Sequence, residues 1–164
     1  MEHIVDVKGA AKCIGVPVEV YTETITGSTF AASSEAIVAH WLGGKRITGK
    51  QYAYDVVVTR RKYGKIEVRN ICLSGYAYFC PSTCYGSKRF FTEKEFFDKL
   101  DDIDSFVFCD LRKQLMEPLK FYEVPVWKVR EMYDDENSVM DKKARITKKR
   151  FFETFSYGEY GLKL

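Results

Sequence analysis

Between Thr29 and Leu42 apolar residues recur at helical spacing, with Ser28 or Thr29 available to cap the start and Gly43-Gly44 closing the run. The spacing predicts a helix over 29–42. The period then falls to two. Ala53 to Arg60 and Lys65 to Cys72 read as two strands about Lys62-Tyr63-Gly64, a hairpin signal. In the second strand Lys65, Glu67 and Arg69 face one way, and Ile66 and Val68 the other. An irregular stretch rich in aromatics, Gly and Ser follows from Ser74 to Phe91. Thr92-Glu93-Lys94-Glu95 is a capping box that opens a short helix to Leu100. Ser105 to Cys109 reads as a buried strand and Leu119 to Val124 as another, and Pro125 suits the first turn of a helix to Tyr133. Thr147 can cap a last helix that docks Phe151, Phe152 and Phe155 inward and turns Lys148, Lys149 and Arg150 outward. This order predicts an α/β fold, a mixed central sheet flanked by helices. No internal repeat, low-complexity tract or linker interrupts the 164 residues, so one domain over 1–164 is expected.

Composition narrows the class. With 46% hydrophobic and 15% aromatic residues, disorder is excluded. No apolar run approaches the ~20 residues of a membrane span. Met1-Glu2-His3-Ile4-Val5-Asp6 lacks the basic start and apolar stretch of a signal peptide. Five cysteines (Cys13, Cys72, Cys80, Cys84 and Cys109) form an odd set, which points to reduced thiols and a cytoplasmic setting.

The net charge of +3 says little, but its distribution says more. Lys142, Lys143, Arg145, Lys148, Lys149 and Arg150 crowd one segment, and Arg60-Arg61-Lys62 and Lys88-Arg89 add smaller patches. Acids gather over Glu93 to Asp104 and at Asp134-Asp135-Glu136. A segregated basic face is what a polyanion partner requires, because each neutralised phosphate releases counterions. A solvated helix face with excess lysine accounts for the same composition.

Three carboxylates carry candidate chemistry. Asp55 heads the apolar strand Tyr54-Asp55-Val56-Val57-Val58, where an unpartnered buried acid is costly. Glu67 lies on the partner strand and shares a face with Arg69. Glu35 sits with Val38, Ala39 and Leu42 at helical spacing, turned to the apolar side. A hairpin loop of odd residue count puts Asp55 and Glu67 on one face, and an even count separates them. A turn over Arg61 to Tyr63 would set Asp55 opposite Arg69 and diagonal to Glu67, with Cα atoms roughly 7–8 Å apart. A Lys62-Tyr63-Gly64 loop would instead bring Ile71 opposite Asp55. Two converging carboxylates can share a hard cation at ~2.1 Å per oxygen, as phosphodiester hydrolysis needs. An ordinary hairpin with a Glu67–Arg69 pair on a wet face fits the same spacing.

The run Glu35…Tyr54-Asp55-Val56-Val57-Val58…Gly64-Lys65-Ile66-Glu67-Val68-Arg69 resembles the PD-(D/E)XK, restriction-endonuclease-like superfamily, in which a helical Glu precedes a strand Asp and then a Glu-x-Lys strand. Phe106-Val107-Phe108-Cys109-Asp110 and Tyr122-Glu123-Val124-Pro125-Val126 look like its later core strand and the strand entering a helix. The likeness covers about Ser28 to Tyr133, leaving a basic helical segment at 142–155. It implies a restriction-endonuclease-like fold, Asp55 and Glu67 as Mg²⁺ ligands, Glu35 in support, and Arg69 where the family has lysine. Arginine can stabilise charge but cannot serve as a base; Lys65, on the same face, is a partial substitute. The function implied is Mg²⁺-dependent cleavage of double-stranded DNA, most like a type II restriction endonuclease, with a homodimer to match a palindromic target. Phosphate contacts are assigned to Lys142, Lys143, Arg145, Lys148, Lys149, Arg150, Arg61, Lys62, Lys88 and Arg89. The departure at Arg69 leaves room for a catalytically inactive nucleic-acid-binding relative. An interaction protein of phage or bacterial origin, with a basic tail for an acidic partner, is the third reading.

Other features are weaker. Cys80-Pro81-Ser82-Thr83-Cys84 with Cys72 could hold zinc, but no second cysteine pair accompanies it. Tyr76, Tyr78, Phe79 and Tyr85 could line a groove for unstacked bases, or pack beneath a loop. His40 reads as a local packing or capping residue, and His3 as terminal.

Overall fold

A computed structural model describes residues 2–3, 6–23, 30–48, 53–61, 64–72, 75–84, 90–111 and 119–155. In chain order the elements are β1 (Glu2–His3), α1 (Val7–Ile14), α2 (Val18–Glu23), α3 (Ala31–Trp41), β2 (Lys45–Arg46), β3 (Val56–Val57), β4 (Lys65–Ile71), β5 (Tyr76–Tyr78), α4 (Glu93–Asp102), β6 (Ser105–Asp110), β7 (Leu119–Pro125), α5 (Val126–Asp134), β8 (Arg145–Thr147) and α6 (Lys148–Thr154). A mixed five-strand sheet, in the order β7-β6-β4-β3-β2, forms the centre, and β1 extends it beyond β7. β2, β3 and β4 are an antiparallel meander. β6 runs parallel to β4 and antiparallel to β7. A parallel neighbour needs a crossover, and α4 lies in the connection between β4 and β6.

Alternation along the strands divides the core into two apolar layers. Ile66, Val68, Val107, Cys109 and Phe121 meet Val7, Phe30, Val38 and Ala39 from the α1–α3 side. Ile71, Phe106, Phe108 and Val124 meet Phe96, Leu100, Val129, Tyr133 and Phe151 from α4, α5 and α6. The sheet is therefore flanked by helices on both faces, as the sequence predicts. The face shared by Glu67 and Arg69 is not wet, because α4 covers it.

Several predicted elements shift. α3 starts at Ala31 with Phe30 at its cap and no side-chain capping bond; Ser28 and Thr29 lie outside the described residues. Gly43 takes φ 61°, and Gly44 packs so closely that a Cβ would meet the Val57 carbonyl at 2.6 Å, so the glycine pair ends α3 against β3. The Thr92 hydroxyl caps Glu95 N–H at 3.3 Å. Glu95 does not complete the box; its carboxylate accepts from Thr83 Oγ1 and Cys84 Sγ at 2.8 and 3.2 Å. The basic segment over 142–155 is not wholly helical, since Arg145–Thr147 pairs with Tyr76–Tyr78 as a second, two-stranded sheet before α6 begins. Phe151 and Phe155 are buried and Phe152 packs beside them, as expected. Phe79 is core, packed edge-on or tilted among Phe106, Phe108 and Phe151, and does not line a groove.

Candidate functional site

The hairpin closes where Val58 N–H donates to Gly64 O at 2.8 Å. Val56 pairs with Ile66 and Val57 with Lys65. One step further along this register, Asp55 falls across from Glu67, the continuation of an odd-numbered loop over residues 59–63. Neither register considered from the sequence is the observed one, since those set Arg69 or Ile71 opposite Asp55. The ladder bends at this point. Asp55 N–H donates to Ile66 O at 2.9 Å, and the Asp55 carboxylate takes the place of a carbonyl by accepting from Val68 N–H at 2.8 Å. The strand acid is thereby fixed to the backbone beside Glu67.

Glu67 is 5% exposed. Arg69 Nη2 donates to its Oε1 at 2.6 Å, and Lys99 Nζ, from α4, donates to its Oε2 and to the Ala53 carbonyl. A buried carboxylate with a cation on each oxygen is compensated as burial demands. Asp55 has no ion-pair partner among the described residues. Burial first, then the charges of Glu67 and Glu35, push its carboxyl up to about 6; the Val68 amide and Arg69 pull the other way. Glu35 contributes through space while pairing with Arg46 of β2 at 2.7 Å. Arg69 Nε is buried and makes no hydrogen bond, so the guanidinium holds a donor in reserve.

Lys99 is the functional candidate that the sequence reading passes over. Its signal is positional: it lies three residues after Phe96 and beside Leu100, on the stripe of α4 that faces the sheet. Lys65, read as a partial substitute for the family lysine, has its ammonium 5.8 Å from the centre of the Tyr54 ring.

Among the described residues no group of three or more His, Cys, Asp and Glu side chains is placed to hold a metal. Two carboxylates are placed together. Mg²⁺ takes one or two carboxylates and keeps its waters, so Asp55 and Glu67 are the candidate pair, with both Glu67 oxygens engaged by Arg69 and Lys99. Among the described residues the cysteines are not grouped as a zinc site needs; none is in a disulfide, and Cys84 Sγ is engaged with Glu95.

The basic residues divide. Arg61 pairs with buried Glu123 at 3.0 Å. Arg145 pairs with Asp141 at 2.6 Å and lies 4.3 Å from the Tyr76 ring centre. Lys142 donates to the Tyr133 carbonyl at 3.3 Å. Lys143, Lys149 and Arg150 are exposed and Lys148 half-buried. Lys62, Lys88 and Arg89 lie outside the described residues. Exposed His40 ends α3.

Compared with known protein families, curated proteins and solved structures, the chain matches none. No helix among the described residues is long and apolar enough to cross a membrane.

Proposed function

We propose that the chain is a Mg²⁺-dependent endodeoxyribonuclease with a restriction-endonuclease-like core, acting on double-stranded DNA as a homodimer in the manner of a type II restriction enzyme. One observation carries the reading: Asp55 and Glu67 on adjacent strands, repelling one another, between the cations Arg69 and Lys99. The succession of a helix bearing Glu35, a strand acid, a Glu-x-Arg strand and the later strands β6 and β7 running into α5 supports it, being the order that the resemblance implies.

When bound by Asp55 and Glu67, Mg²⁺ supplies Lewis acidity toward a phosphodiester and toward water. The chain's own groups do the rest. The Val68 amide fixes the Asp55 carboxylate. Arg69, with a guanidinium donor to spare, stabilises negative charge growing on phosphate oxygens. Lys99 takes the part that arginine cannot fill, because an ammonium can pass on a proton. Exposed Lys143, Lys149 and Arg150 supply sequence-independent phosphate contacts.

Supercoiled plasmid should be cut with Mg²⁺ and left intact with EDTA. Asp55→Asn should slow cleavage at least 100-fold, and Lys99→Met by 10²–10⁴-fold, the usual worth of a proton-transfer group. Cleavage by Asp55→Asn at the wild-type rate would remove the site. A second reading rests on Glu67, whose oxygens are both occupied by cations. That closed arrangement suits a relative that binds DNA without cutting it. Salt-dependent retention of DNA without cleavage at any Mg²⁺ concentration would select it.

A further inference from the structure

Lys99 Nζ does at Glu67 what a hard metal ion would do. It reaches from α4 to two oxygens at once, Glu67 Oε2 and the Ala53 carbonyl, and its side chain is 11% exposed. Carboxylate and backbone carbonyl oxygens are the donors that hard cations take. Ala53 stands two residues before Asp55. The ammonium is thus seated between the chain leading into β3 and the acid of β4.

The balance of charge points the same way. Ionised Asp55 and Glu67 bring two negative charges, and Arg69 and Lys99, both bonded to Glu67, bring two positive ones. These groups are balanced without a metal. A divalent cation at the two acids would leave an excess of positive charge in a largely buried place, which desolvation penalises. One resident cation has to withdraw. Arg69 is the less able to, because it lies on the same strand as Glu67 and its guanidinium also reaches the Cys80 carbonyl at 3.4 Å. Lys99 comes from another element, and its ammonium is a compact charge on a flexible four-carbon stem. Resting on the reading of Asp55 and Glu67 as ligands of Mg²⁺, we infer that Lys99 is an internal counter-ion that holds the site closed until Mg²⁺ displaces it. Displacement frees the same ammonium that the proposed chemistry uses, so occupancy of the site and release of Lys99 are one event. The apparent affinity for Mg²⁺ is lowered by the fraction of chains in which Lys99 is in place.

The test is calorimetric titration of the intact protein with Mg²⁺ alone, in the absence of DNA. Lys99→Met should bind Mg²⁺ about tenfold or more tightly than wild type, because the cost of opening is gone. Lys94→Met removes an exposed ammonium from the same helix, and solvent screening should keep its affinity within about twofold of wild type. Asp55→Asn should abolish saturable binding, which places the ion at this pair. A second measurement needs no variant. In wild type labelled with ¹⁵N and ¹³C, the Lys99 ammonium is assigned by NMR through its own side-chain carbons. Its resonance should be visible in EDTA and should shift or vanish as Mg²⁺ is added, with the calorimetric midpoint. Equal affinity of wild type and Lys99→Met, an equal gain in Lys94→Met, or a resonance unmoved at saturating Mg²⁺ would overturn the inference while leaving the acids as a cation site. Binding that persists in Asp55→Asn, or no binding by wild type or Lys99→Met, would remove the ligand reading and the inference with it. Plasmid cleavage is scored separately. Lys99→Met should cut more slowly while holding Mg²⁺ more tightly, a pairing that a merely structural lysine would not give.

Discussion

Burial and the neighbouring charges of Glu67 and Glu35 hold the Asp55 carboxyl at about 6, against 3.8 for the free group. The folded chain thus binds this proton more tightly than the unfolded chain. Between about pH 4 and 6 stability contributed by the protonated form is lost as pH rises, and above that window the ionised carboxylate costs up to about 3 kcal/mol. Asparagine keeps an acceptor for the Val68 amide without the charge. Asp55→Asn should therefore be more stable than wild type at pH 8, by about 2 kcal/mol in urea unfolding, with the gap closing at pH 4. An Asp55→Asn protein less stable than wild type at pH 8 would show that Asp55 is not strained by its neighbours. A residue that costs stability as the fold is built, yet sits beside Glu67, is the pattern expected of a working site.

At the level of elements, close approaches set the cost of change. A Cβ at position 44 would lie 2.6 Å from the Val57 carbonyl and 2.7 Å from Val58 Cγ2, so α3 and β3 would have to part. Gly44→Ala should lose about 2–3 kcal/mol, read as a lowered midpoint in thermal unfolding. Gly15→Ala, with φ 72° but open space around it, should lose about 1 kcal/mol. The same contrast explains what the sequence could tell. α4, β6, β7 and α5 announce themselves because a cap, an apolar run and a proline each act locally, and their observed ends lie within two residues of the predicted ones. β2 has two residues, too few to show a period, and β3, read as a strand over 53–60, is one only over Val56–Val57. The hairpin register is fixed by backbone bonds such as Val58 to Gly64 and Asp55 to Ile66, and Lys99 reaches Glu67 only because α4 crosses over the sheet. Asp55, Glu67 and Arg69 are legible as chemistry in the sequence; their closure by a lysine from elsewhere is not. Arg61, read as a surface cation, is turned inward by buried Glu123.

Across the whole molecule, positive charge collects at α6 and the turn before β8, where Lys143, Lys149 and Arg150 are exposed. If this surface meets DNA, changing all three to alanine should lower the salt slope of binding by about 0.9 for each phosphate no longer neutralised. Filter retention at several salt concentrations measures it, and an unchanged slope would move the DNA-binding face elsewhere. The same scale shows how the two halves of the sheet are tied. The Asp104 carboxylate accepts from both Gly64 and Lys65 N–H groups, its own N–H donates to Lys65 O, and its carbonyl accepts from Val126 N–H. A single residue thus stitches together the starts of β4, β6 and α5. With that stitch in place, the upstream end of β4 is held from the β6 side by Asp104 as well as from the β3 side by Val58.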